Sequence, residues 1–172
     1  ERLEAGLALA RSSKSTFREG LVLVMRGFVR SDMEQKELAR ADFDQAGRIL
    51  EQVSTSSQIA WRTGKLYMDI RWGDPAAADK IMAELDRLAP PENLAPWSAA
   101  MRRSFLILMH LGRGDEEAAL REAALPRSYE IVNPNLNFNL MSIGAANMPL
   151  TADGIAQLLA RRGQIEKALE EY

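Results

Sequence analysis

The sequence predicts an all-α protein built from antiparallel helical hairpins. Three observations carry that reading. The first is the stretch Pro96–Leu125, PWSAAMRRSFLILMHLGRGDEEAALREAAL, in which a long apolar run meets a short alanine-rich one across Gly112-Arg113-Gly114-Asp115. The second is a set of three capping boxes: Thr16-Phe17-Arg18-Glu19, Ser31-Asp32-Met33-Glu34 and Thr55-Ser56-Ser57-Gln58. In such a box the first and fourth side chains satisfy each other's backbone N–H groups at a helix start. The third is the lack of strands able to pair. Leu136–Leu140 alternates with period two, but no second stretch does.

Within Pro96–Leu125, Trp97, Met101, Phe105 and Leu108 share one helical face. Leu106, Ile107 and Met109 cover much of the rest, so this helix is expected between neighbours, with Phe105 and Leu108 in the core. Gly112 and Gly114 can supply the positive φ that stops it, and Asp115 can cap the next helix. Ala118, Ala119, Ala123 and Ala124 offer a surface for close packing, and Pro126 ends the hairpin.

From the N-terminus, Leu3, Leu7 and Ala10 mark a short helix ended by Ser12-Ser13-Lys14-Ser15. The first box opens a helix with Phe17, Leu21, Val24 and Phe28 inward. The second opens one with the stripe Ala39, Phe43, Ala46, Leu50 and Val53. The third opens a helix containing Ile59, Trp61, Leu66, Tyr67 and Ile70 that ends near Trp72-Gly73. Asp74-Pro75 is an N-cap with proline at the first helical position. Its helix turns Ala78, Ile81, Met82 and Leu85 inward and closes at Pro90-Pro91. Residues 131–152 contain no charged side chain and form a more irregular segment, 126–151, with a helix expected near 136–147. Thr151 starts a helix with Ile155, Leu158 and Leu159 inward, and Gly163 turns it into the last one.

At 172 residues the chain is one domain's worth. A net charge of −2 gives no basis for nucleic-acid binding. The absence of cysteine removes disulfides and thiolate metal sites. No apolar run approaches the roughly 20 residues of a membrane span, so no membrane insertion by this segment is expected. The chain opens on Glu1, and Ile165, Ala168, Leu169 and Tyr172 stay in phase to its last residue. It is therefore expected to be a piece of a longer protein.

The run Leu158-Leu159-Ala160-Arg161-Arg162-Gly163-Gln164-Ile165-Glu166-Lys167-Ala168-Leu169-Glu170-Glu171-Tyr172 resembles a tetratricopeptide repeat. Gly163, Ala168 and Tyr172 match that family's turn glycine, small contact residue and aromatic. Ile155, Ala156 and Leu159 match its first helix, and Gly73-Asp74, Ala78 and Pro90 match a second copy. Ala46, after Asp42-Phe43-Asp44-Gln45, looks like half of another. Glycines 73, 112 and 163 are 39 and 51 residues apart, against a family period of about 34. Arg62, Lys65 and Asp69 also depart from the family's apolar positions. The resemblance implies a short, divergent tetratricopeptide-like α-solenoid spanning 1–172. Its concave surface would bind a protein or peptide partner, with Thr63, Tyr67, Arg102, Leu106, Asp153 and Gln157 facing the groove. Phe138, in the uncharged segment, joins this partner-binding set.

Other features read as structural. His110 is the only histidine, and zinc needs three or four ligands. Gly64-Lys65 lacks both the first glycine and the Ser/Thr of a phosphate loop. Glu116-Glu117 and Glu170-Glu171 diverge by about 100° on a helix, which makes them solvated faces. Arg102-Arg103 could clamp a carboxylate, and Met101, Met109, Met141 and Met148 could form an adaptable surface. No catalytic, cofactor or metal motif is present, so the expected role is a non-enzymatic scaffold, with self-association open. Its composition suggests a bacterial secretion, envelope or polysaccharide-assembly context, by analogy alone. The alternatives are an appended domain of a larger enzyme and a helical sensor for a small apolar ligand.

Overall fold

A computed structural model of the chain describes residues 2–94, 96–124 and 154–170, with the side chains of 96, 97, 169 and 170 left aside. The fold is all-α, and the described residues contain no strand. The helices are α1 (Arg2–Ser12), α2 (Thr16–Asp32), α3 (Lys36–Leu50), α4 (Thr55–Arg71), α5 (Pro75–Leu88), α6 (Pro96–Arg113), α7 (Glu116–Ala123), α8 (154–161) and α9 (Ile165–Glu170). A 3-10 turn at Pro91–Asn93 follows α5. The chain divides into two compact units, Glu1–Ala89 and Pro90–Tyr172.

One turn recurs through both units. Lys14, Glu34, Gly73, Gly114 and Gly163 all have positive φ, between 54° and 74°. In each case the following N–H bonds the carbonyl five residues back: Ser15 to Ala10, Gln35 to Arg30, Asp74 to Asp69, Asp115 to His110 and Gln164 to Leu159. This is the six-to-one bond of a Schellman C-cap. The residue making it then leads into the next helix, so stop and start share one residue. Ser15, Asp74 and Asp115 also cap that helix through their side chains, accepting from Arg18, Ala77 and Ala118 N–H. Five residues after the last four of these turns stands an alanine, Ala39, Ala78, Ala119 or Ala168, and all four are buried.

The αL conformation costs a residue with a Cβ roughly 1–2 kcal/mol, of which glycine returns part through its unfolded-state entropy. Lys14→Gly is thus expected to raise the unfolding free energy by about 1 kcal/mol. A Cβ on Gly73 would meet open space, so Gly73→Ala carries only the backbone cost and should lower stability by a similar amount. Denaturant melts of both variants check the pair.

In the first unit α3 interlocks with its neighbours by knobs and glycine holes. Phe43 lies against Gly27 of α2 and Gly64 of α4, and Leu50 lies against Gly20 of α2. A Cβ on Gly27 would come within 2.7 Å of the Phe43 ring, and one on Gly64 closer still. Since 43 meets 27 and 50 meets 20, α2 and α3 run antiparallel. Phe28 meets Phe43 edge-on at 5.2 Å between centroids and Tyr67 at 5.4 Å. Thus α2 packs on α3, α3 on α4, α4 on α5, and α2 also on α4. The second helix of one hairpin is clasped between the first helices of two.

Ion pairs tie the margins of this unit. Asp42 is buried and accepts from Arg26 Nε and Nη2 at 3.0 and 2.7 Å and from Arg30 Nη1 at 2.8 Å. Arg26 Nη1 also reaches both oxygens of Glu4, at 2.7 and 2.8 Å, which fastens α1. That bond holds the Glu4 carboxyl below its ordinary pKa. Arg62 of α4 donates to Glu51 beyond α3 and to Glu84 on α5, and Trp61 Nε1 adds a bond to Glu51.

The second unit gathers Ile107, Ala119, Ile155, Leu159 and Ala168 into one core. Leu111 of α6 also meets Gly154 at the start of α8. Phe105 is buried as expected, whereas Leu108 is only half-buried and Ile107 and Met109 take the inner positions.

Several sequence expectations shift. Two capping boxes lie one residue early: Ser15 and Ser54 are the caps, and Thr16 and Thr55 are already helical. Ser31-Asp32-Met33-Glu34 starts nothing, because α2 ends within it at Asp32 and the chain turns at the αL residue Glu34. Phe17 and Val53 are exposed, and Leu23 takes a core place in α2. Gly112 stays helical, and Gly114 makes the turn. The segment 126–151 lies outside the described residues.

Candidate functional site

Two of the proposed groove residues are corrected. Thr63 is 4% exposed and donates its hydroxyl to Ile59 O at 2.9 Å. Tyr67 is 2% exposed and donates to Asp32 Oδ1 at 3.0 Å. Both fall on sides of α4 closed by packing, since that helix meets α2, α3 and α5 together. They are core residues with satisfied hydroxyls and do not line an open surface.

The Tyr67 hydroxyl anchors a small network. Arg71 Nη1 donates to it at 3.3 Å, and Arg71 Nη2 also bonds Glu34. Burial, followed by the bond to Asp32, pushes the Tyr67 pKa up to about 12. The folded state therefore prefers the neutral phenol, whereas the unfolded chain ionises near pH 10. Stability is expected to hold up to about pH 10 and then to fall towards pH 12. Ultraviolet difference titration should show one of the chain's three tyrosines ionising about two units late.

Arg102 and Leu106 stand one turn apart on α6, both half-buried, and Gln157 is exposed on α8. All three lie in the second unit. Phe138 and Asp153 lie outside the described residues. In the second unit Arg162 forks onto Glu116 and Glu117, with Nη2 and Nη1 distances of 2.9 and 2.7 Å. His110, in the last turn of α6, has Nδ1 3.8 Å from Asp115 Oδ2.

Asp69 is half-buried and its carboxyl pKa is raised, first by burial. No group of three or more His, Asp or Glu side chains able to hold a metal occurs among the described residues. No described helix is long and apolar enough to cross a membrane. The polar side chains described above chiefly stitch helix to helix. Comparison of the chain with family models, with curated proteins and with solved structures finds no match.

Proposed function

We propose that the chain is a helical-repeat interaction module of tetratricopeptide-like design that binds a protein or peptide. The observation that carries this reading is the clasp of α3 between α2 and α4, in which successive hairpins stack through their first helices. Hairpins stacked in this way build a continuous surface along an array, the geometry suited to an extended or helical ligand. The shared turn supports it, with its αL residue and buried alanine at 34/39, 73/78, 114/119 and 163/168. Arg102 and Leu106 on α6 and Gln157 on α8 are the contact positions this reading assigns.

Selection of a random-peptide library on the full chain tests it. Peptides should be enriched over a control protein, and Leu106→Ala with Gln157→Arg should weaken their binding while leaving helix content unchanged. Failure to enrich any peptide, or binding indifferent to both substitutions, contradicts the reading.

A further inference from the structure

From Phe17 onward, every fourth residue along α2 is apolar and lies off its core line. The core line is Gly20, Leu23, Val24, Gly27, Phe28 and Ser31. The outer row is Phe17, Leu21, Met25, Val29 and the C-cap Met33. Phe17 and Val29 are each 45% exposed and Met33 is 60% exposed, while Leu21 and Met25 are half-buried. Residues four apart form one of the ridges by which helices interlock. Exposed apolar side chains joined in one row are not the scattered singles of an ordinary surface.

The charges beside the row have a direction. Arg18 is exposed at the Phe17 end and Asp32 is exposed at the Met33 end. Asp32 is held in place by the hydroxyl it accepts from Tyr67. A two-fold axis passing beside Met25 sets Leu21 opposite Val29 and Arg18 opposite Asp32, while Phe17 and Met33, at the two ends of a row that winds by about 40° per step, flank the contact on either side. Such self-complementarity is what an isologous interface requires. A parallel pairing would instead place Arg18 beside Arg18. We infer that this ridge is a self-association face, on which α2 packs antiparallel against α2 of a second copy. The inference does not depend on the peptide-binding reading, whose contact positions lie in the second unit.

Sedimentation equilibrium of the full chain, from micromolar to about 1 mM, tests it. The parent chain should show a monomer–dimer equilibrium, and Val29→Asp should remain monomeric with unchanged helix content. Arg18→Glu should weaken the dimer by about tenfold, since it turns two attractive pairs repulsive. Glutamate is favoured in the first turn of a helix, so Arg18→Glu keeps the test decisive should Val29→Asp disturb folding. A parent chain monomeric at about 1 mM overturns the proposal. So does a dimer that survives Val29→Asp, or one indifferent to Arg18→Glu.

Discussion

Phe43→Ala is expected to cost about 3–5 kcal/mol of unfolding free energy, at the upper end of that range. The size follows from what surrounds the ring. Large-to-small changes cost most where the walls cannot move in, and here two of the walls are glycine backbone, Gly27 on α2 and Gly64 on α4. No side chain at either place can swing across to fill the void, and the Phe28 edge contact is lost as well. Because the ring touches three helices, the loss loosens both hairpins. A double-mutant cycle isolates the fit. In the parent chain Gly64→Ala should destabilise by about 1–3 kcal/mol, because its Cβ runs into the Phe43 ring. In the Phe43→Ala background the same change should be neutral or favourable, since alanine suits a helix by about 1 kcal/mol over glycine. Denaturant midpoints at unchanged slope give all four corners. A cost for Phe43→Ala below about 1 kcal/mol would mean that the ring is not the wedge described.

Asp42→Ala is the second large effect, expected at about 3 kcal/mol. Its carboxylate side chain is 3% exposed and accepts three bonds from Arg26 and Arg30. Removing one partner of a buried pair leaves a charge without compensation, which typically costs 3–5 kcal/mol. The lower end applies because Arg26 retains Glu4 and both guanidinium groups keep some contact with water. Salt should not offset the loss, since screening acts poorly on a shielded pair. Glu4→Gln, by contrast, removes a mostly exposed partner and should cost far less than Asp42→Ala. Equal effects of the two substitutions would contradict the division between buried and exposed ends of the network.

Much of this fold was legible in the chain because its signals are local. Trp72-Gly73-Asp74-Pro75 carries a stop, a cap and a helix-ready proline in sequence, and the structure uses all of them. The stripe Ala39, Phe43, Ala46 and Leu50 is buried throughout. The turn at Glu34 was hidden, because αL backbone normally advertises itself by glycine and here a glutamate adopts it. The buried alanine five residues on would have revealed it, as it would have chosen Gly114 over Gly112. The site was less legible. Periodicity finds a buried stripe, but α4 is packed by three helices, and a single stripe says nothing of the other two contacts. The tetratricopeptide frame places Thr63 and Tyr67 on the groove side, and nothing in the pattern of α4 signals that packing closes it. The small residues that admit α3, Gly20 and Gly27 on α2 and Gly64 on α4, carry no hydrophobic signal either.

The central claim is that α3 is clasped between the first helices of two successive hairpins. Nuclear Overhauser spectroscopy of the full chain addresses it directly. The Phe43 ring protons should show cross-peaks to the Hα protons of both Gly27 and Gly64, and the Leu50 methyls should show them to Gly20. A Phe43 ring in contact with Gly27 but not with Gly64 would leave a single hairpin with no stacked neighbour, and would contradict the account.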